Sequence, residues 1–434
     1  MLALWVLASA RAPAQSSWNA PSLPHLQAFV TDSSPEFLKP ITPLAAGVAI
    51  AATAPTVDFL YYPEQTYAGN PWSVWGDGTT TPGKYYSAIG DHRAPAGNAF
   101  VFEYDAATKA FRTLTDVKSV LNLAEGHYSP SKIHSRLDMG SDGWLYFATH
   151  RGSTRVTTDQ YHFTGDWILR TNPTTGKTEI VDSGPVSKHS IPAGMLDPDR
   201  LIFYGGTTAG DPADKSIMFF AFDVRAKKIL HAVPQGPYRY LIFAKSTGRV
   251  YYVNEDNGPL MRYDPGTGTP PVAIPGSIGI RAATRETSDG FVYTVSSSGN
   301  GTLWRFNTRT EAIEALGKAE VATQDYVTSL DVDPSGRYVY YVPGAHGGSD
   351  KDGSAVVQFD VKTRKKKIIA FVHPFLRDKY GYTALGTYSS ALSPEGDKLY
   401  ITWNGNRLGP TRGRLAWDAV ALTVIHIPKS ERQP

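Results

Sequence analysis

One pattern recurs along the chain and leaves it little freedom of fold. A short alternating strand is followed by a tight turn containing Asp/Gly or Ser/Gly, then by an aromatic and β-branched strand. After a loop comes a third strand ending in "D/N-x-x-T/K". The copies are "GKYYSAIGD…GNAFVFEYDAATKAFRTL", "HSRLDMGSDGWLYFATH…GDWILRTNPTTGKTEIV", "IPAGMLDPDRLIFYGG…SIMFFAFDVRAKKILHAV" and "YLIFAKSTGRVYYVNEDNGPLMRYDPGTG". Three more follow: "RAATRETSDGFVYTVSSSGNGTLWRFNTRTEAIEAL", "VTSLDVDPSGRYVYYVPGAHGG…AVVQFDVKTRKKKIIAF" and "TYSSALSPEGDKLYITWNGN…ALTVIHIP". A four-stranded unit of this size cannot bury both of its faces alone. Stacking the units radially around a channel covers the faces and leaves only short edges. The expected fold is all-β, a seven-bladed β-propeller. No stretch sustains a 3.6-residue apolar period, and a helical turn is expected only at "DVKSVLNL".

The propeller is expected to span residues 61–434 as one domain, since closed β architectures often exceed ordinary domain size. Residues 15–60 form a leader that closes the ring or wraps its side. Residues 1–14 read as a signal peptide, from the apolar "LALWVLASA" and the small-residue "APA", although the basic n-region is missing. A periplasmic or secreted protein is expected, and absence of cysteine is compatible with export. "PLAAGVAIAATAP" is too short to span a bilayer. Charged residues are only 19% and net charge is +3, which argues against a nucleic-acid binder. The basic run Arg364–Lys367 falls where a turn is expected and reads as a solvated turn. A monomer with no membrane partner is expected.

In a propeller the innermost strand lines the channel and reverses into the second strand. In "HSRLDMGSDGWLYFATH" the turn centres on Ser141 and Asp142, so antiparallel pairing puts His134 opposite Thr149 or His150. Such residues are within side-chain reach. Aligning the turn glycines Gly143, Gly248, Gly290, Gly336 and Gly396 sets His134 level with Arg239, Arg281, Val327 and Thr387. Neighbouring slots hold Lys132, Ser135, Tyr238, Tyr240, Gln324, Asp325 and Tyr388. Tyr238 and Tyr240 alternate with Arg239, so a regular strand sends the tyrosines to one face and the arginine to the other. Second strands end on the same rim at His92, His150 (followed by Arg151), Glu255, His346 and Trp403; His189 joins them. Loops on that rim are the expected place for function.

Arginine pairs with a carboxylate, and a neutral histidine or a tyrosinate can take the proton alpha to it while a second group protonates the departing oxygen. That is β-elimination next to a uronic acid. Trp72, Trp75, Tyr86, Tyr388 and Trp403 could stack on sugar rings. Acids are few at this rim (Asp91, Glu255, Asp256, Asp325), which disfavours hydrolysis by two carboxylates. The plainer readings are hydrogen-bonded channel packing for His134 and His150, loop bracing for His92 and His189, and a structural ion pair of Arg285 with Glu286 or a neighbour. No cofactor is required. A divalent metal (Zn, Mn or Ca) is the rival: three imidazoles assembled across blades would suit Zn or Mn, and the loop "GGSDKDGS" could take Ca.

"HSRLDMGSDGWLYFATHRGS", "GKYYSAIGDH" and "GNAFVFEYD" resemble the seven-bladed propeller polysaccharide lyases, namely the ulvan, oligogalacturonate and rhamnose-glucuronate lyases, and the related rhamnosidases of glycoside hydrolase family 145. The resemblance implies an exported lyase acting on an acidic polysaccharide or oligosaccharide. It implies His134 and His150 as the catalytic or substrate-positioning pair, Tyr240 (or Tyr238) as acid/base, and Arg281 (or Arg239) as carboxylate neutraliser. His92, Lys132, Arg151, His189, Tyr238, Arg239, His346, Tyr388 and Trp403 would bind substrate. One departure is visible: the strand paired with that of Tyr240 ends in "NEDNG", without an arginine. The alternatives are an α-L-rhamnosidase-like hydrolase and a non-catalytic scaffold.

Overall fold

A computed structural model describes residues 18–237, 239–254, 258–297, 299, 301–407 and 417–432. The signal-peptide reading of residues 1–14 lies outside these, as do Tyr238, Glu255 and Asp256. Among the described residues the strands gather into seven sheets arranged as a ring, the expected propeller. Blade 1 holds Thr79–Thr81, Lys84–Gly90, Ala99–Asp105 and Ala110–Asp116, and blades 2 to 6 repeat this meander through Phe371. Blade 7 holds Thr383–Leu392, Lys398–Asn406 and Ala419–His426.

The hydrophobic clusters show how the ring is held. Each joins two adjacent blades. Phe147 and Leu145 of blade 2 pack with Val101 and Ala88 of blade 1, and Phe203 and Phe220 of blade 3 pack with Tyr146 of blade 2. The series ends where Tyr400 and Val424 of blade 7 meet Tyr85 and Phe102 of blade 1. Alternation within each strand sends one set of side chains to each neighbouring blade, so every sheet is buried on both faces.

Thr56–Tyr61 pairs antiparallel with Ala419–His426 and supplies the outer strand of blade 7, and Val30–Ser33 adds a further strand outside it. Ala49–Ile50 lies parallel to Lys365–Phe371 on blade 6. The inner turns share one backbone solution: Gly83, Gly143, Gly248, Gly290, Gly336 and Gly396 all have φ between 70° and 86°. Only glycine adopts that region without strain, so these turns fix the register of each inner hairpin. The helical turn at "DVKSVLNL" is present as Val117–Leu121, capped by Asp116. Phe375–Tyr380 and Lys429–Arg432 are further short helices. Among the described residues no helix is long and apolar enough to cross a membrane.

Candidate active site

The inner strand of blade 2 is not continuous. Lys132–Ile133 pairs with Thr149–His150, Asp138–Met139 pairs with Leu145–Tyr146, and the stretch between bulges out. Ser135 closes the gap: its hydroxyl accepts the amide of Ala148 at 2.7 Å in place of a backbone carbonyl. His150 therefore faces Lys132 and not His134, two residues from the register of the hairpin's turn end, yet the two imidazoles still meet with ring centroids 4.5 Å apart. A bulge re-aims a side chain, and here it turns His134 toward the channel.

Trp75, from the loop entering blade 1, lies parallel to His134, centroids 5.3 Å apart at 6°. Gly76 allows the approach, because a Cβ there would sit 2.3 Å from the carbonyl oxygen of Ser135. The indole N–H of Trp75 donates to Ser73 Oγ and to His92 Nε2, both at 2.6 Å. Accepting from an indole requires an unprotonated Nε2, so His92 carries its proton on Nδ1. Lys132 Nζ rests 4.3 Å from the centre of the Trp75 ring.

These groups surround a cavity of about 100 Å³, lined also by Asp77, Arg239, Tyr240, Arg281, Tyr326, His346 and Tyr388. Arg281 Nε donates to Tyr326 Oη at 2.7 Å, and its guanidinium lies 5.3 Å from the Tyr326 ring and 5.4 Å from that of Tyr388. Tyr240 Oη donates to Asp77 Oδ2 at 2.6 Å. His346 Nδ1 bonds to Tyr388 Oη at 2.5 Å.

Lys132, Arg239 and Arg281 make the surroundings of His134 electropositive. Burial, then the charges of Lys132, Arg239 and Arg281, hold His134 well below the ordinary histidine value. Burial also lowers His150 and His92, with neighbouring charge adding to it. Burial beside Arg151 and Arg239 lowers Lys132 to about 7. Burial pushes Asp77 up to about 6 against the hydrogen bond from Tyr240 and the charges of Arg136 and Arg281. Three buried atoms of this cluster have no hydrogen-bond partner: His134 Nε2, His150 Nδ1 and Asp77 Oδ1. Each such orphan costs roughly 1–3 kcal/mol.

Of the expected residues, His134, Arg239, Tyr240, Arg281, His346 and Tyr388 line the cavity, and His150, His92 and Lys132 back it. Tyr240 and Arg239 both reach it, against the expected alternation, because regular pairing starts only at Ile242. Burial and the charge of Asp77 raise the Tyr240 phenol well above its ordinary value, which favours its protonated form.

Other expectations need correction. Trp403 is fully buried in the core between blades 6 and 7, its N–H bonded to Thr423, because it sits within the outward hydrophobic alternation of blade 7. Trp72 is likewise core, bonded to the carbonyl of Tyr67, and Tyr86 is buried against Glu103. His189 bonds to Thr207, and Arg151 Nη1 bonds to the carbonyl of Ala209, which draws both to blade 3 and off the cavity wall. Arg285 pairs with Asp138 at 3.6 Å, while Glu286 bonds Ser246 and Thr308.

Asp77 and Tyr326 were not among the expected residues. Extending the glycine alignment to Gly83 of blade 1 sets Val74 level with His134 and brings Trp75 and Asp77 to the rim, so the signal was present.

The rival reading is a divalent metal. Among the described residues no three His, Asp or Glu side chains group to hold one. The imidazoles share their space with Lys132 and two arginines, which oppose a cation. In "GGSDKDGS", Asp352 spends both oxygens on Thr323 and the amide of Gln324.

No protein-family model matches the chain, and no curated protein matches it. Solved structures do. The chain is similar to a catalytically inactive virginiamycin B lyase from Staphylococcus aureus with quinupristin (TM-score 0.51, 10% identity, covering 85% of this chain and 98% of that one). It is similar to an oligogalacturonate lyase in complex with manganese (TM-score 0.50, 11% identity, 90% and 98%). It is equally similar to a chain of the mitotic checkpoint complex (TM-score 0.50, 11% identity, 91% and 96%). Lyases and an assembly protein share this shape, so the likeness establishes the propeller fold and leaves activity to be argued from the site.

Proposed function

We propose that this chain is an exported carbohydrate-active enzyme that cleaves uronic-acid-containing glycans by β-elimination. The observation that carries the reading is His134: a buried, neutral imidazole whose Nε2 has no protein partner, in a cavity also lined by Arg239 and Arg281. A packing histidine would have its nitrogen satisfied. A general base needs it open.

The arginines bind the uronate carboxylate and offset the charge that develops on it when the α-proton leaves. His134 Nε2 takes that proton. The released electron pair forms the carbon–carbon double bond, the glycosidic carbon–oxygen bond breaks, and the departing oxygen takes the proton of Tyr240 Oη. Tyr240 then regains a proton from solvent, and His134 returns the one it took. Lys132, stacked on Trp75, keeps His134 from being protonated before substrate arrives. Asp77 is the sole carboxyl lining the cavity among the described residues, and hydrolysis usually takes two.

The test is incubation with ulvan, gum arabic and pectic oligomers, with product masses read by mass spectrometry. Elimination gives one fragment of each pair lighter by a water than its hydrolytic counterpart. Free rhamnose with ordinary chain ends would assign a hydrolase, and no cleavage of any uronate glycan would refute the reading.

A further inference from the structure

The stretch "RAATRE" carries two arginines, and the fold sends them to different places. Arg281 lines the His134 cavity, whereas Arg285 lines a separate hollow of about 250 Å³ that shares none of that cavity's lining residues. Asp138, Lys245 and Glu286 of this hollow precede the turn glycines Gly143, Gly248 and Gly290, so it lies at the turn end of the inner strands. We propose that the hollow binds a small oxyanion, a phosphate or a short organic carboxylate, held by Arg136 and Arg285. The site is independent of the β-elimination reading.

Arg136 forms the buried wall. It is only 8% exposed, and its Nε donates to Asp138 Oδ1 at 2.8 Å. Its two terminal nitrogens have no protein acceptor among the described residues, and neither is sealed in the core. A guanidinium carries five N–H donors and no acceptor, which leaves four donors for whatever enters the hollow. A cation this buried is stabilised by an anion that takes those donors.

Arg285 faces the same space from blade 5. Its side chain is half exposed, its Nη2 donates to Thr79 Oγ1 at 2.5 Å, and it comes no nearer to Asp138 than 3.6 Å. That is beyond hydrogen-bond length, so the pair is loose. Lys245, exposed on blade 4, stands 3.9 Å from Asp199. Two guanidinium groups suit the bidentate recognition of a carboxylate or phosphate. Phe243 and Pro198 supply an apolar wall that a short carbon stem can cover. The volume is below the roughly 300–1,000 Å³ of sites for drug-sized ligands, as a small ion requires.

The acids nearby are engaged elsewhere. Asp138 accepts from Arg136 Nε and, through Oδ2, from the amide of Leu196 at 3.0 Å. Glu286 accepts from the amide of Ser246 at 2.7 Å, from Ser246 Oγ at 2.6 Å and from Thr308 Oγ1 at 2.5 Å. Asp331, whose buried carboxyl feels Arg285 and Arg136, takes the amides of Val332 and Leu392. Every oxygen of these three carboxylates thus has a donor of its own, while the two arginines keep donors to spare.

The experiment is calorimetric titration of inorganic phosphate and of succinate into wild-type, Arg281→Ala and Arg285→Ala protein, with circular dichroism as the check on folding. Arg281→Ala alters the His134 cavity alone and is expected to leave the affinity unchanged. Arg285→Ala, at a half-exposed position, is expected to weaken binding at least about tenfold, as for one lost charge-assisted hydrogen bond. Lys245→Ala is expected to weaken it by less. Binding of phosphate, of succinate or of both supports the site and names its anion. The proposal is overturned if neither binds, if Arg285→Ala binds as tightly as wild type, or if Arg281→Ala abolishes binding, which would assign it to the His134 cavity. Binding is read without turnover, so a failed cleavage assay would refute elimination and leave this result standing.

Discussion

At His134 the imidazole is kept neutral by its surroundings and not by a partner. Burial and the nearby cations disfavour its charged form, so it stays ready to accept a proton in solutions more acidic than an ordinary histidine tolerates. A base is lost as pH falls through its own pKa. The acid limb of kcat/KM is therefore expected below pH ~6.5, the unperturbed histidine value; a limb at or above it would contradict the account. His134→Ala is expected to lower kcat by about 10²–10⁴ with unchanged circular dichroism. Lys132 has a separate signature. Its folded value is depressed to about 7, so between there and the ordinary lysine value the unfolded chain binds the extra proton and stability rises with pH. Lys132→Met is thus expected to raise Tm at pH 6 and to lose that advantage by pH ~10, as differential scanning fluorimetry across pH would show. At this scale the meeting of the histidines was legible because a hairpin brings the ends of its two strands together, even where a bulge changes which residues pair. Tyr326 was not, because its neighbours Asp325 and Val327 occupy the slots a regular strand would give, and irregular backbone decides which side chain reaches the cavity.

The element that matters most is the bulged inner strand of blade 2. A regular strand places His134 against Thr149 or His150. The bulge shifts the pairing, and Ser135 supplies the acceptor that the backbone no longer provides. Ser135→Ala leaves the buried amide of Ala148 without that acceptor, an expected loss of about 1–3 kcal/mol by chemical denaturation. It should also lower kcat more than it raises KM, since it moves His134 and not the arginines. An unchanged kcat would mean that the bulge does not position the base. Tight turns were readable from glycine spacing, whereas the bulge has no local marker in "KIHSRLDMG". Trp403 fails for a related reason: alternation puts it at the rim by count, but its strand runs on to Asn406, which leaves it inside the blade interface.

For the whole molecule, seven similar units were enough to read the ring from the sequence, because the repeat itself dictates the stacking. Which strands the leader joins was not readable, since its partners lie at the far end of the chain. The clamp there is Asp58, buried, which binds Lys109 of blade 1 at 2.7 Å, His426 of blade 7 at 2.7 Å, and Thr31 at 2.6 Å. Burial alone would raise this carboxyl, but hydrogen bonds from those three bring it below its ordinary value. A depressed carboxylate contributes stability that is present above its unfolded value and lost as pH falls through its folded one. Asp58→Ala leaves Lys109, His426 and Thr31 without their acceptor and is expected to cost about 3–5 kcal/mol. It should also flatten the decline of Tm in acid. A change within error would mean that the ring closes without this clamp.

The proton transfer assigned to His134 is tested most directly by ultraviolet absorbance of unsaturated uronate, followed with wild-type and His134→Ala protein on one uronate-containing glycan. The account predicts a steady rise with the wild type and almost none with the variant, which still binds the glycan. Equal rates from both proteins would contradict it.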